Sequence, residues 1–142
     1  MILVDSNVLI DIFNEDEIWM HWSRSSLEAA VVSDQVTVNH IVVAEVAPQL
    51  GSLAAFQSRL NAFEIEVVDL TLEAAFFAGQ AFVDYRRQRR VADRQAKSII
   101  ADFLIGGQAA TLGATILTRD PRFYRNYFPM VPLIAPEKDE ND

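Results

Sequence analysis

The sequence contains no cysteine among its 142 residues, and this absence excludes several kinds of protein. Without thiols, the chain can form no disulfide bond and no thiolate metal site, and it has no cysteine nucleophile. An absence of disulfides fits a reducing compartment, so we expect a cytoplasmic protein. The fold must be held together by its core, and 51% of the residues are apolar, including nine phenylalanines.

A leader segment and an uninterrupted apolar run of membrane length are also lacking. Residues 1–5 carry no basic side chain and end on a carboxylate, unlike a signal peptide. The longest apolar stretch, residues 99–117, is interrupted by Asp102, Gln108 and three glycines. Because a charge at the centre of a membrane helix costs roughly 2.5–3.5 kcal/mol, we predict a buried helix followed by a strand, and no membrane association.

Basic residues are few, with 12 of them against 20 acidic residues and a net charge of -8. Such a surface repels nucleic acid at long range, which argues against an indiscriminate RNA or DNA binder. The charge is unevenly distributed, however, because half of the basic residues fall between residues 86 and 97. Residues 137–142 contain four acidic residues and one lysine. The chain is therefore acidic, with one concentrated basic segment.

Short apolar runs alternate with helical patterns along the chain. Strands are predicted at residues 2–4, 36–38, 65–68 and 115–117, with a possible edge strand at 131–134. Helices are predicted at residues 6–13, 16–30, 41–50, 53–63, 72–90 and 96–112. This alternation is typical of an α/β three-layer sandwich, with a central, mostly parallel sheet of four to five strands flanked by helices. No linker is visible, so we predict one domain, residues 1–134, and an acidic flexible tail, residues 135–142.

The longest predicted helix, residues 72–90, is amphipathic. Its apolar face combines Leu72, Ala75, Phe76, Gly79, Phe82 and Val83. Aromatic residues at helical spacing are interpreted as core, dimer or partner contacts rather than as platforms for base stacking; they are Trp19, Trp22, Phe76, Phe77 and Phe82. Gly113 is placed to end the next helix, since glycine tolerates the left-handed conformation found there.

Two aspartates follow predicted strands and are candidates for a functional site. Asp5 comes directly after residues 2–4, and Asp120 comes shortly after residues 115–117. In open parallel sheets, ligands bind outside the carboxyl ends of the strands. Each aspartate also has a simpler explanation, because Asp5 could cap the next helix and Asp120 precedes Pro121, as an N-cap precedes a helical proline. The residues alone leave both interpretations open.

Two further acids lie inside apolar helical stretches. Asp102 has isoleucine, leucine or phenylalanine on nearly every side of its helix, so its surroundings are predicted to be buried. A buried carboxylate is costly unless a positive charge compensates it, and that charge is either an arginine or a metal ion. Glu45 shares its helix stripe with Ile41 and Val42, which weakens the alternative of a solvent-facing glutamate.

The four acids gain significance as a set. Clustered carboxylates raise one another's pKa unless cations neutralise them. Oxygen ligands select Mg²⁺ or Mn²⁺ rather than zinc, and such ions activate water and stabilise charge on a scissile phosphate. The two histidines, His21 and His40, belong to no serine or cysteine constellation, so acyl transfer is not indicated.

The sequence around each acid resembles the motifs of the PIN-domain family and of its VapC-type toxins. The first similarity is Val4-Asp5-Ser6-Asn7, an aspartate at the end of the first strand followed by a hydroxyl residue and asparagine. The others are Val43-Ala44-Glu45-Val46, then Ala101-Asp102-Phe103 opening an apolar helix rich in small residues, and Leu117-Thr118-Arg119-Asp120 with Phe123 downstream. The similarity covers residues 1 to about 134, nearly the whole chain.

The resemblance implies a PIN-like fold and an endoribonuclease, dependent on Mg²⁺ or Mn²⁺, that acts as the toxin of a toxin–antitoxin pair. The residues it implies are the catalytic metal ligands Asp5, Glu45, Asp102 and Asp120, with Ser6, Asn7 and Thr118 in support. It also implies two protein partners, a second copy in a homodimer and a cognate antitoxin. Some relatives carry a further acid after the fourth motif, where this chain continues with Pro121 and Arg122, so the number of metal ions stays open.

Basic residues are candidate contacts for the implied RNA substrate, namely Arg86, Arg87, Arg89, Arg90 and Arg119. The first four could guide phosphates towards Asp102, or form the solvated end of the long helix, where the helix dipole favours positive charge. Arg119 could contact phosphate or balance nearby acids. The alternative function is a non-catalytic PIN-like module that binds RNA or protein. A dehalogenase-type phosphatase does not fit, because it needs an aspartate where Asn7 stands.

Overall fold

The computed structural model describes residues 1–88 and 99–137, and it is built around a sheet of five parallel strands. In chain order the strands are β1 (Ile2–Val4), β2 (Val36–Asn39), β3 (Glu66–Val68), β4 (Thr115–Leu117) and β5 (Leu133–Ile134). The helices are α1 (Ser6–Phe13), α2 (Met20–Ser33), α3 (His40–Val46), α4 (Leu53–Ala62), α5 (Leu72–Gln88), α6 (Ile99–Leu112) and α7 (Arg122–Tyr127). This architecture confirms the predicted α/β class, with a sheet that is parallel throughout.

The strand order is β3-β2-β1-β4-β5, which places β1 at the centre of the sheet. Ile2 pairs with Val36 of β2 on one side and with Thr115 of β4 on the other. All residues of β1 and β2 are buried, whereas the edge strand β3 exposes Glu66 and Val67. Burial on both faces explains the continuous apolar run of β1. Because the strands are parallel, the carboxyl ends of β1, β2 and β4 lie along one edge of the sheet.

Helix boundaries differ from the predicted ones where local chemistry intervenes. The helix predicted from residue 16 begins at Met20, because the Asp16 side chain accepts hydrogen bonds from two backbone N–H groups in the preceding turn. The helix predicted over residues 41–50 ends at Val46 and continues as a 3₁₀ turn, where Pro48 lacks the N–H that an α-helix requires. Gly113 follows α6 with φ at +63°, the left-handed conformation predicted for it.

The apolar face predicted for α5 is only partly its core face, which corrects the expectation from the sequence. Leu72 and Phe76 are 82% and 67% exposed. The residues of α5 that are buried are Ala74, Ala78 and Tyr85. Leu72 and Phe76 therefore point to solvent and the small Ala74 and Ala78 point to the core, while Phe77, Phe82 and Tyr85 also pack against the core.

The reason for this arrangement is the close approach of α5 and α6. A Cβ atom added at Gly107 would lie 2.6 Å from the carbonyl oxygen of Ala74 and 2.8 Å from the Cβ atom of Ala78. Helices this close leave room only for small side chains between them. A Cβ atom at Gly106 would in turn collide with the ring of Phe128. The two glycines thus fix the position of α6, the helix that carries Asp102.

Two predictions fall partly outside the described residues. Of the basic segment, Arg89, Arg90, Arg94 and Lys97 lie outside them, as do residues 138–142 of the acidic tail. Among the helices of residues 1–88 and 99–137, none is both long and apolar enough to cross a membrane.

Candidate metal centre

The four acids singled out in the sequence lie together at the carboxyl edge of the sheet. Asp5 follows β1 directly, Asp120 lies in the loop between β4 and α7, Glu45 is on α3, and Asp102 is in the first turn of α6. The charges of Asp5, Glu45 and Asp120 all raise the pKa of Asp102. Four separate elements therefore bring the four carboxylates within electrostatic reach of one another.

Asp5 is buried, and both of its carboxylate oxygens accept hydrogen bonds. Its Oδ2 accepts from Thr118 Oγ1 at 2.9 Å, from the Tyr124 hydroxyl at 3.0 Å and from Asn7 Nδ2 at 3.4 Å. Its Oδ1 accepts from the backbone N–H of Ser6 at 2.8 Å, and in this way caps α1. Burial raises the pKa of Asp5, and the hydrogen bonds offset that rise only in part. Helix capping and membership of the acidic cluster are thus combined in one residue.

Ser6 connects Asp5 to Glu45. Its Oγ lies 3.1 Å from Glu45 Oε1 and 3.4 Å from Asp5 Oδ1. Burial raises the pKa of Glu45, the Ser6 hydrogen bond lowers it, and the charge of Asp5 raises it again. Glu45 is therefore a half-buried member of the cluster rather than a solvent-facing glutamate of α3.

Asn7 and Thr118 join the start of α1 to the loop that carries Asp120. Asn7 Nδ2 donates to Thr118 Oγ1 at 3.2 Å, and the backbone N–H of Arg119 donates to Asn7 Oδ1 at 3.3 Å. The backbone N–H of Asp120 donates to Thr118 Oγ1 at 3.1 Å. Thr118 is fully buried. The network holds the β4–α7 loop against Asp5.

Asp102 has no comparable support. Within residues 1–88 and 99–137, its carboxylate receives no hydrogen bond and forms no ion pair. Burial first, and then the charges of Asp5, Glu45 and Asp120, raise the pKa of Asp102 to about 7. No arginine among residues 1–88 and 99–137 pairs with Asp102, and a metal ion is one partner that could neutralise its charge.

The capping interpretation of Asp120 is wrong. Helix α7 begins at Arg122 with Pro121 as its N-cap, and no side chain forms a capping hydrogen bond. Asp120 is exposed, and its carboxylate receives no hydrogen bond from the described residues. Its carboxylate is therefore available to a ligand at the cluster.

Tyr124 is a member of the site that the sequence analysis did not name. It is 1% exposed, and its hydroxyl donates to Asp5. Burial, followed by the charges of Asp5 and Asp102, raises the pKa of Tyr124 well above its ordinary value, so the hydroxyl stays a donor. Tyr124 and Phe128 are four residues apart and both are buried, so the helical period of this segment was the signal that could have found the inward-facing tyrosine.

The basic residues named as candidate RNA contacts differ in their surroundings. Arg119 Nε donates to Asp11 Oδ2 at 2.7 Å, and the Arg119 side chain is 33% exposed. Through this contact Arg119 balances a nearby acid, which is one of the two roles considered for it. The other role, contact of Arg119 with RNA, stays a prediction. Arg86 and Arg87 are exposed in the last turn of α5.

The carboxylate oxygens of the cluster suit a hard divalent cation, although the described side chains are not arranged to surround one. In the part of the chain that the structure describes, no three or more acidic, histidine or cysteine side chains are arranged to hold a metal ion. The raised pKa values of Asp5, Glu45 and Asp102 nevertheless mark a site that burial and crowding have left short of positive charge. An ion with oxygen preference would supply that charge.

Comparison with known proteins gives one family and several similar folds. The family model described as PIN domain matches residues 2–129. No curated protein matches the chain. Among solved structures, VapBC2 from Rickettsia felis, bound to a DNA fragment from their promoter, has a TM-score of 0.70 at 19% identity, covering 96% of this chain and 100% of that chain.

Two further structures have similar folds. A toxin–antitoxin complex from Klebsiella pneumoniae has a TM-score of 0.66 at 16% identity, covering 98% of this chain and 100% of that chain. FitAcB from Neisseria gonorrhoeae has a TM-score of 0.63 at 20% identity, covering 94% of this chain and 96% of that chain. At these identities the likeness concerns the fold alone.

Proposed function

Because the chain belongs to the PIN-domain family, we propose that it is a Mg²⁺- or Mn²⁺-dependent endoribonuclease, the toxin of a cytoplasmic toxin–antitoxin pair. The observation that carries the proposal is the meeting of four carboxylates from four separate elements, without a cation from the described residues to neutralise them. The proposed ligands are Asp5, Glu45, Asp102 and Asp120. Ser6, Asn7 and Thr118 are proposed to support them through the hydrogen bonds described above.

A divalent ion bound there would activate water and neutralise charge on the scissile phosphate. The protein's contribution is to prepare the ligands for it. Asp5 is oriented by Thr118 and Tyr124, so little ordering is left for the binding step. Asp102, with a pKa of about 7, is partly protonated near neutral pH and would give up that proton to hold an ion. Tyr124 keeps its proton and therefore serves as a donor to Asp5, not as a base.

RNA is the proposed substrate, and exposed basic side chains are its proposed contacts. The net charge of -8 opposes indiscriminate binding, so affinity depends on local basic groups. Arg86 and Arg87 are exposed at the end of α5, and Arg122 is exposed at the start of α7. Arg89 and Arg90 belong to the same proposed contact, although they lie outside the described residues.

A cleavage assay tests the proposed activity. Labelled RNAs, including tRNA, are incubated with the protein in Mg²⁺, Mn²⁺ or EDTA, beside the variants Asp5→Asn and Asp102→Asn. The control is Asp84→Asn, which makes the same chemical change at an exposed position of α5. We expect cleavage that requires the ion, is lost in both site variants and persists in the control.

Other outcomes of this assay separate the alternatives. Ion binding without cleavage of any RNA in the panel would mean that the substrate is narrower than the panel. Failure of both ion binding and cleavage would contradict the catalytic proposal and favour the non-catalytic module. One observation supports that alternative, because no three side chains of the described residues already enclose an ion.

An antitoxin and a second copy of the chain are the proposed protein partners. Complexes of toxin with antitoxin occur among the proteins of similar fold. A homodimer is supported by the exposed face of α5, where Leu72, Phe76 and Val83 lie along one line of the helix. Between them, Gly79 has no atom within 4 Å of an added Cβ atom, which leaves room for another helix.

A two-fold axis between residues 79 and 80 would pair two α5 helices antiparallel. It would set Phe76 against Val83 of the second copy, so that apolar side chains of the two copies meet at the interface. The absence of cysteine makes the test simple, because Gly79→Cys introduces the only thiol. We expect disulfide-linked dimers on mild oxidation from Gly79→Cys but not from Val32→Cys, a control whose side chain is 90% exposed on α2. Equal cross-linking of the two variants would contradict this interface.

A further inference from the structure

We propose that Asp11 is a positioning residue, which acts through Arg119 to fix the loop that carries Asp120. The inference deepens the proposed function, because Asp120 is one of the proposed metal ligands. It concerns a buried carboxylate that lies outside the acidic cluster and that the cleavage chemistry itself does not use.

Asp11 is 2% exposed on α1, and two other parts of the chain donate to the same oxygen of its carboxylate. Arg119 Nε lies 2.7 Å from Asp11 Oδ2, and Ser23 Oγ of α2 lies 2.9 Å from it. Buried aspartates are rare unless they are paired, and a charge-assisted hydrogen bond is stronger than a neutral one. Asp11 thus ties α1, α2 and the β4–α7 loop together at one point.

Arg119 is held at both ends. Its guanidinium group lies 5.7 Å from the centre of the Trp19 ring, and the charge of Asp16 is close enough to interact with it. Its backbone N–H donates to Asn7 Oδ1. Asn7 therefore holds the backbone of Arg119, and Asp11 holds its side chain.

The position of Asp120 depends on this neighbour. The Asp120 carboxylate is exposed and has no hydrogen-bond partner among the described residues, whereas Asp5 has its own set of donors. What holds Asp120 is its backbone, which donates to Thr118 Oγ1 and follows Arg119 directly. Releasing Arg119 from Asp11 should therefore let Asp120 move away from the other acids.

A direct contact between Arg119 and RNA is the competing role, and Asp11→Asn distinguishes the two. If Arg119 binds phosphate, weakening its bond to residue 11 leaves RNA affinity unchanged or improves it. If Arg119 positions the loop, Asp11→Asn has the same effect as Arg119→Gln. The doubly substituted Asp11→Asn/Arg119→Gln protein leaves no unpaired charge buried, so it keeps the test possible if a single variant fails to fold.

The experiment uses the full chain and three measurements: Mn²⁺ affinity without RNA, hydrogen exchange of the backbone amides of residues 119 and 120 without metal, and kcat and KM for RNA cleavage. Arg24→Gln is the control, because it removes an exposed ion pair on α2. For both single variants we expect Mn²⁺ affinity to fall about tenfold, in the range typical of groups that orient metal ligands. We also expect faster exchange of both amides, a lower kcat with little change in KM, and no additional loss in the double variant.

Two results would overturn the inference. One is Asp11→Asn behaving as the control does in amide exchange. The other is Arg119→Gln raising KM alone. If the unmodified protein binds no Mn²⁺, the proposed function fails, but amide exchange still decides the inference. Faster exchange in Asp11→Asn then supports the positioning role, and unchanged exchange contradicts it.

Discussion

Asp5 and Asp102 belong to the same acidic cluster, yet their carboxylates have opposite surroundings. Asp5 receives hydrogen bonds from Ser6, Thr118 and Tyr124, so donors surround it before any ligand arrives. Asp102 receives no hydrogen bond from the described residues. The negative charges of other acids act on it instead and raise its pKa. Burial raises the pKa of both residues, but only that of Asp5 is offset by hydrogen bonds.

The difference indicates that the two sides of the site have different roles. One side, at the ends of β1 and β4, is a fixed frame of hydrogen bonds. The other side, at the start of α6, keeps an unfavourable charge that none of the described residues neutralises and that a bound cation would relieve. A preformed frame gives geometric precision, and an uncompensated carboxylate gives affinity for the ion and sensitivity to pH.

Both sides of the site should be required for RNA cleavage. Asp5→Asn and Asp102→Asn should each lower RNA cleavage by at least a factor on the order of 100, because each removes a ligand of the ion. Single-turnover rates in Mg²⁺ provide the measurement, with Asp84→Asn as the matched control. A rate close to that of the unmodified protein in either variant would remove that residue from the proposed ligand set.

In stability, the same two substitutions should act in opposite directions. Asp5→Asn should destabilise the metal-free protein by roughly 1–3 kcal/mol, because its amide nitrogen must replace one of two carboxylate oxygens that both accept buried hydrogen bonds. Asp102→Asn should stabilise it at pH 8 by roughly 1–2 kcal/mol, less than the full pKa shift implies, because Asp102 is partly exposed. Urea unfolding in EDTA measures both changes, and a shared sign would contradict the proposed contrast.

The pH dependence of stability should follow from Asp102. Its folded pKa of about 7 lies above the ordinary aspartate pKa of 3.8, so the folded state holds the extra proton between these pH values. Stability should therefore fall as pH rises from about 4 to 7 and level off above that, since the unfolded chain gives up this proton first. Thermal midpoints in EDTA should show this slope in the unmodified protein and a smaller one in Asp102→Asn. Identical slopes would assign the effect to other groups.

Tyr124→Phe should have the smallest of these effects. It removes one donor from Asp5 Oδ2 but leaves Thr118 and Asn7 in place. We expect a loss of about 0.5–1.5 kcal/mol in the free energy of unfolding and a modest loss of Mn²⁺ affinity. The control is Tyr127→Phe on the same helix, which removes a hydroxyl outside this hydrogen-bond set. Equal losses in the two variants would show that the Tyr124 hydroxyl has no special role.

The sequence predicts the sheet and the meeting of the four acids well, because both follow from local patterns. Apolar runs locate the strands, and parallel strands bring Asp5 and Asp120 to one edge. The core face of α5 could not be predicted in this way, since it depends on Gly107 of another helix. The same holds for the bonds from Tyr124 to Asp5 and from Arg119 to Asp11, which join positions far apart in the chain.

Isothermal titration with Mn²⁺ tests directly whether the carboxylate cluster holds a divalent ion. The unmodified protein is titrated at pH 6 and pH 8, each in two buffers of different ionisation enthalpy, beside Asp102→Asn. We expect binding that is tighter at pH 8, releases protons at pH 6 and is largely lost in the variant, since Asp102 has a pKa of about 7. Absence of binding, or binding of equal strength in Asp102→Asn, would contradict this expectation.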